Sequence, residues 1–234
     1  MTLKHAQEPA IIYDQKRAES FDKNMQKMAP LKDALHLCMQ IVLSTLPKNA
    51  HILCVGVGTG VELLYLAKAF PHWTFTAVDP AAPMLEVCKN RIDECGFSSR
   101  CTFHNGYLDT LADDHLYDAA TAILVSQFFK DVHDRQDFFS SIKAKIYPGG
   151  YLISADLASD RSSLDYQDLI KVWLRLLKYS DLPDSDVEKF YASLGHQVAV
   201  LPSHDIQRII QSAGFSHSTL FFQSLLIHGW YSKV

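Results

Sequence analysis

One junction constrains this chain more than any other stretch. The apolar run His51-Ile-Leu-Cys-Val55 meets Gly56-Val-Gly-Thr-Gly60, and Val61 to Phe70 then carries helical patterning. A short apolar run bounded by glycine reads as a buried strand, and alternating glycines let the backbone turn sharply and approach a ligand. A second apolar run, Thr74 to Asp79, ends in a carboxylate about 20 residues beyond the loop, the spacing at which an acid accepts hydrogen bonds from both ribose hydroxyls. Together these features predict a site for a nucleoside-containing ligand. A pyrophosphate is a poor fit: the dinucleotide pattern puts its third glycine one position after Gly60, where this chain has Val61, and Glu62 in the first helical turn opposes negative charge. The pattern predicts an adenosine without phosphates.

Beyond the junction, helix and strand alternate. Helical spacing covers Lys32 to Leu46, Ala82 to Cys95 with Gly96 as its stop, Asp134 to Ile146 ahead of Pro148-Gly149-Gly150, and Ser203 to Ser212 ahead of Gly214. Strands are predicted over Cys101 to Asn105, Tyr117 to Val125 and Tyr151 to Leu157, the middle one nearly all apolar, as a strand buried on both faces of a parallel sheet must be. Strands joined by helices imply right-handed crossovers. Ser218 to Tyr231 holds two apolar runs parted by Gln223-Ser224, with no room for a crossover helix, so the chain should end in an antiparallel hairpin. The predicted fold class is α/β: a Rossmann-like, seven-stranded, mostly parallel sheet with an antiparallel C-terminal hairpin and helices on both faces. Between the fifth strand and the last helix lies an insertion, Ser159 to Pro202, carrying Trp173, Tyr179, Phe190 and Tyr191. It reads as a helical pair at the carboxyl edge of the sheet, shaping a substrate pocket or adding a layer to the core.

Composition narrows the function classes. The 234 residues are 48% hydrophobic, enough for one domain with a sizeable core. Formal net charge is −4 with no basic block, which disfavours nucleic acid and anionic membranes as partners. No apolar run approaches the roughly 18 residues of a membrane span, and Met1 to Pro9 lacks a signal-peptide core, so a cytoplasmic location is expected. The five cysteines, Cys38, Cys54, Cys88, Cys95 and Cys101, read as buried thiols rather than disulfide partners. His115 beside Asp113 and Asp114, and His133 between Asp131 and Asp134, read as polar turns, and no metal is expected.

Cys54-Val-Gly-Val-Gly-Thr-Gly60, Val78-Asp-Pro80 with Met84-Leu85, Asn105-Gly-Tyr107, Ser126-Gln-Phe128 and Tyr147-Pro-Gly-Gly-Tyr-Leu-Ile153 resemble the ordered motifs of the class I S-adenosylmethionine-dependent methyltransferases. Phe21 to Pro30, Gln127-Phe128 and Ala213 to Gln223 are similar to carboxy-S-adenosylmethionine synthases within that superfamily. The resemblance implies S-adenosylmethionine as cofactor. Gly56, Val57, Gly58, Thr59 and Gly60 would wrap its methionine half, and Asp79 would hold the ribose. Pro80 and Met84 would pack on adenine, Gly106, Tyr107 and Leu108 would cover its polar edge, and Ile123 to Ser126 would floor the sulfonium. Residues 1–46, with Tyr13, Phe21 and Lys32, would form a helical lid over a methyltransferase domain spanning 47–234 with its insertion at 159–202.

Two positions depart from the family. Its first strand usually ends in Asp or Glu, which attracts the cofactor ammonium, and this chain has Cys54; Asp usually follows the third strand's glycine, and this chain has Tyr107. Each lost charge-assisted hydrogen bond is worth about 1.5–3 kcal/mol. Spacing assigns no catalytic base, the candidates being Asp156, His133, Tyr191 and His196. The expected function is methyl transfer to a small-molecule acceptor. The alternatives are a carboxy-S-adenosylmethionine synthase-like enzyme and a non-catalytic cofactor-binding relative. Against carboxylated cofactor, Asp186 to Gly195 offers Lys189 and no arginine, with Arg175 and Arg208 only on flanking helices. A homodimer remains an open option.

Overall fold

Strands β1 (His51–Val55), β2 (Thr74–Asp79), β3 (Cys101–Asn105), β4 (Tyr117–Ile123), β5 (Ile146–Leu157), β6 (His217–Ser224) and β7 (Ile227–Lys233) form one sheet in the order β3-β2-β1-β4-β5-β7-β6. The structure, a computed structural model, describes residues 18, 22, 26–112 and 115–234. Tyr13, Phe21, Asp113 and Asp114 lie outside the described residues. Pairings among β1 to β5 are parallel; β7 runs antiparallel to both β5 and β6. The sheet is the predicted one.

Among the described residues seven α-helices flank it: α1 (Ala29–Leu43), α2 (Val61–Ala69), α3 (Ala82–Glu94), α4 (Val132–Ala144), α5 (Leu164–Tyr179), α6 (Asp184–Ser193) and α7 (Ser203–Ser212). Alternate residues of the parallel strands feed opposite faces, as the period of two requires. Ile52, Cys54, Phe75 and Ala77 pack with Met39, Leu63, Leu66 and Leu85 of α1 to α3. Leu53, Val55, Val78 and Ala120 pack with Phe138, Phe139, Ile206 and Ile210 of α4 and α7. β4, the central strand, is buried on both sides, which explains its nearly all-apolar run.

Three predicted details shift. The hairpin turn falls at Leu225-Leu226 rather than Gln223-Ser224, with Ser224 paired to Ile227 and Leu225 at φ +52°. Leu226 is fully buried in the core beneath the insertion, so burial outweighs the turn preference of the polar pair. β5 starts at Ile146, before the Pro-Gly-Gly stretch, because Ile146 pairs with Tyr117 of β4; further along, Gly149 N–H donates to the Val234 carbonyl at 3.0 Å, and Val234 N–H to the Gly150 carbonyl at 3.1 Å. Among the cysteines, Cys54 and Cys88 are buried as expected, whereas Cys95 is exposed because it caps the end of α3.

The insertion is the predicted helical pair, α5 and α6. Trp173 and Phe190 stack with centroids 6.4 Å apart inside a cluster that includes Leu157, Ile170, Val187 and Ile227, whereas Tyr179 and Tyr191 are exposed. For Trp173 the core-layer role holds. Asp131, read above as part of a polar turn, caps α4, its side chain accepting from the backbone N–H groups of His133 and Asp134.

Candidate functional site

The strand order turns back on itself at β1: β2 and β3 extend to one side, β4 and β5 to the other. Loops leaving the carboxyl ends of β1 and β4 therefore diverge and open a crevice, the place where α/β sheets bind ligands. Gly56 to Gly60 lies there. Gly56 N–H donates to the Val78 carbonyl at 2.8 Å and Gly60 N–H to the Val57 carbonyl at 2.9 Å, folding the loop over the end of β2.

Gly56 and Gly60 need to be glycine. Their φ angles are +66° and +76°, and a Cβ at Gly56 would fall 2.5 Å from Val125 Cγ2, one at Gly60 2.3 Å from Cys88 Sγ. Gly60→Ala should therefore destabilise the fold by about 2–4 kcal/mol, combining left-handed strain with overpacking. Denaturant midpoints measure this, and adding Cys88→Ala should restore only the packing part. A loss below about 0.5 kcal/mol would contradict the geometry.

Asp79 ends β2 directly under this loop and is buried. Its Oδ2 accepts from Gly58 N–H at 2.7 Å and its Oδ1 from Ala81 N–H at 2.8 Å. Burial raises the Asp79 carboxyl above its usual range, while the Ala81 and Gly58 N–H groups pull the other way. Each carboxylate oxygen keeps a further lone pair, which is what a ribose diol requires. Asn105, quoted above only within a motif, proves to be a support for this acid: its Nδ2 donates to the Asp79 carbonyl at 3.0 Å and to the Pro80 carbonyl at 3.3 Å. Gly106 N–H also donates to the Asp79 carbonyl, at 3.1 Å.

Met84 packs toward Gly58, Pro80 is exposed, Gly106 and Tyr107 are half-buried, and Ile123 is half-buried at the end of β4. Leu108 belongs to the core cluster. Ser126 is fully buried, and its hydroxyl is spent behind the crevice rather than facing it. It donates to Asp156 Oδ2 at 2.7 Å and accepts from Arg135 Nε at 2.8 Å. Asp156, named above as a candidate base, is fully buried in this ion-paired network and reaches no solvent. His133 is exposed on α4, and Tyr191 and His196 are exposed at the end of α6 and in the turn that follows it.

The loop has a further layer that the sequence did not disclose. Thr59 Oγ1 donates to Asp22 Oδ1 at 3.0 Å; Arg91 of α3 donates to the Thr59 carbonyl at 2.5 Å and pairs with Asp22. Asp22 thus ties part of the predicted lid to the glycine loop. Lys32 sits nearby in the first turn of α1, its amine held below the usual range by burial against the opposing pull of Asp22. Cys54 is fully buried, and burial, then the proximity of Glu62, pushes its thiol well above the usual range, so it stays neutral. Glu62 itself is buried, its carboxyl raised to about 7 chiefly by desolvation.

The crevice, glycine cradle and strand-end acid fit an adenosine bearing an amino-acid tail, and the comparisons agree. Residues 52–150 match the model of the methyltransferase domain family. The malonyl-[acyl-carrier protein] O-methyltransferase of Priestia megaterium is 26% identical over 140 residues, covering 59% of this chain and 48% of that one. The carboxy-S-adenosyl-L-methionine synthase of Campylobacter jejuni subsp. doylei is 27% identical over 145 residues (62% and 60%), and that of Idiomarina loihiensis 23% over 217 residues (90% and 88%). The chain thus spans about half to three fifths of the length of the first two relatives. Among solved structures, PigF with SAH has TM-score 0.68 at 13% identity (94% of this chain, 60% of that one), and mitomycin 7-O-methyltransferase MmcR 0.66 at 17% (94% and 58%). Residues 52–150 are thus similar to methyltransferase domains, and the fold around them is shared with solved methyltransferases, whose cofactor is S-adenosylmethionine.

Proposed function

We propose that this chain transfers the methyl group of S-adenosylmethionine to a small molecule. The observation that carries the reading is the hydrogen bond from Gly58 N–H to Asp79, which locks the glycine cradle to the ribose-binding acid at the crevice of the sheet. When bound, the cofactor supplies a methyl group on an already activated sulfonium. The protein's task is then positioning and exclusion of water. In this reading Gly56 to Gly60 line the amino-acid half, Asp79 takes the ribose hydroxyls, Pro80 and Met84 flank adenine, and Gly106 to Leu108 cover its edge. Ile123 faces the reacting end, with Ser126 held behind it, and the acceptor enters beside α5 and α6. The segment through residue 46 acts as a lid, supported by Asp22 on Thr59 and Arg91. Five free thiols support a reducing, cytoplasmic setting, and no helix among the described residues is long and apolar enough to cross a membrane.

A second reading, remaking of the cofactor as in the synthases, has one observation in its favour. Lys189 pairs with Asp186 and Arg208 with Asp205, but Arg161 lies against Gly195, where a Cβ would fall 1.7 Å from its Nη1. An arginine fork grips a carboxylate in two places. Mass spectrometry of cofactor retained through purification, followed by a labelled-methyl acceptor screen, separates the readings. We expect S-adenosylmethionine or its demethylated product, and label in a small molecule. Retention of the carboxylated form would favour the synthase reading, and cofactor binding with no transfer to any acceptor would favour a non-catalytic one.

A further inference from the structure

Glu62 is the second residue of α2, directly beyond the glycine cradle, and is only 8% exposed. Among the described residues it forms no ion pair within 4 Å, and its carboxylate accepts from its own backbone N–H. Every element packed around it presents a group: Cys54 from β1, Asp79 from β2, Lys32 from α1, Cys88 and Arg91 from α3. Lys32 and Arg91 favour the charged form from a distance, but neither makes an ion pair with Glu62. Arg91 is spent on the Thr59 carbonyl and Asp22, both oxygens of Asp79 are engaged by loop N–H groups, and the Cys54 and Cys88 thiols are neutral.

A carboxylate buried without a counter-ion is expensive, and such a group persists where a ligand supplies the missing charge. The ligand that fits this crevice carries one full positive charge fixed to its amino-acid end, the α-ammonium. We propose that Glu62 is the carboxylate that holds the ammonium of the bound cofactor, replacing from the first turn of α2 an acid that β1 lacks at Cys54. This rests on the cofactor reading above. Cofactor binding then favours the ionised carboxylate, so that a proton leaves Glu62 as the ligand docks and affinity rises with pH. Glu62 is thus the residue that distinguishes ligands with the amino-acid tail from bare adenosine derivatives.

The test is titration calorimetry on the full chain and on Glu62→Gln with two ligands, S-adenosylhomocysteine and 5′-methylthioadenosine, which share adenosine and thioether but differ in the ammonium-bearing tail. From the carboxyl at about 7, affinity of the native chain for S-adenosylhomocysteine should rise about eightfold between about pH 6 and about pH 7.5. Buffers of differing ionisation enthalpy should report the released proton, and methylthioadenosine affinity should stay flat. Glu62→Gln should weaken S-adenosylhomocysteine by about tenfold or more, abolish the pH dependence and leave methylthioadenosine unchanged. Equal losses for both ligands, or an unchanged S-adenosylhomocysteine affinity, would overturn the assignment. Should the variant not fold, the native pH profile and proton count decide, since a flat profile without proton release overturns it equally. Failure of the native chain to bind either ligand would instead overturn the cofactor reading itself.

Discussion

Arg135→Ala should cost about 3–5 kcal/mol of stability, because it strands the fully buried Asp156 without its counter-ion. Both residues are fully buried, and Arg135 Nη2 lies 3.1 Å from Asp156 Oδ2, an ionic contact off the hydrogen-bond line, so Nη1 and Nη2 make no hydrogen bond of their own. Ser126, Gln127 N–H and Arg135 Nε complete the network, and Gln127 Oε1 in turn accepts from Leu157 N–H at 2.9 Å. Burial raises the Asp156 carboxyl, against the opposing pull of Arg135, Ser126 and the Gln127 N–H. Removing the cation removes the strongest of those opposing influences. Equilibrium denaturation measures the loss, and the double variant Arg135→Met with Asp156→Leu should recover much of it, since no charge is then left buried. A loss below about 1 kcal/mol would show the pair to be solvated in solution.

Asp79→Ala should weaken S-adenosylhomocysteine binding by about tenfold to 150-fold, the equivalent of about 1.5–3 kcal/mol. Two effects combine. The ribose loses its acceptor, and the Gly58 and Ala81 N–H groups lose the oxygens that hold the loop and the start of α3 in place. Asp79→Asn, which keeps one acceptor oxygen, should fall between the two. Calorimetry, with circular dichroism to confirm the fold, gives the answer, and binding within about twofold of the native chain would remove Asp79 from the site.

Much of the fold was legible because it depends on local periodicity. The strand Cys101 to Asn105 and the helix Ser203 to Ser212 agree residue for residue with expectation, as each is bounded by its own turn residues. Boundaries failed where a distant partner decided them: Leu225-Leu226 is a turn because Leu226 has a core to enter, and β5 begins early because Ile146 pairs with Tyr117 of β4. The cradle was equally legible. Glycine at Gly56 and Gly60 answers backbone and packing demands, and Asp79 sits at the strand end that the spacing implied.

Ser126, Asp156 and Glu62 were misread or half-read for one reason. Their types and strand-end positions were visible, but the direction of a side chain and the charge of its neighbours are set by packing between elements far apart in sequence. The chain by itself determined an α/β sheet with an antiparallel hairpin after its parallel strands, and a glycine loop, Gly56 to Gly60, set near the strand-end acid Asp79, since these follow from period, turn chemistry and short-range spacing. Only the tertiary structure decided that Asp156 is sealed against Arg135 while Glu62 is enclosed beside Cys54 and Asp79, with no ion-pair partner among the described residues. Whether a buried carboxylate is neutralised by the protein or left for a ligand depends on which charges the fold brings within a few ångströms of it, and sequence separation carries no record of that distance.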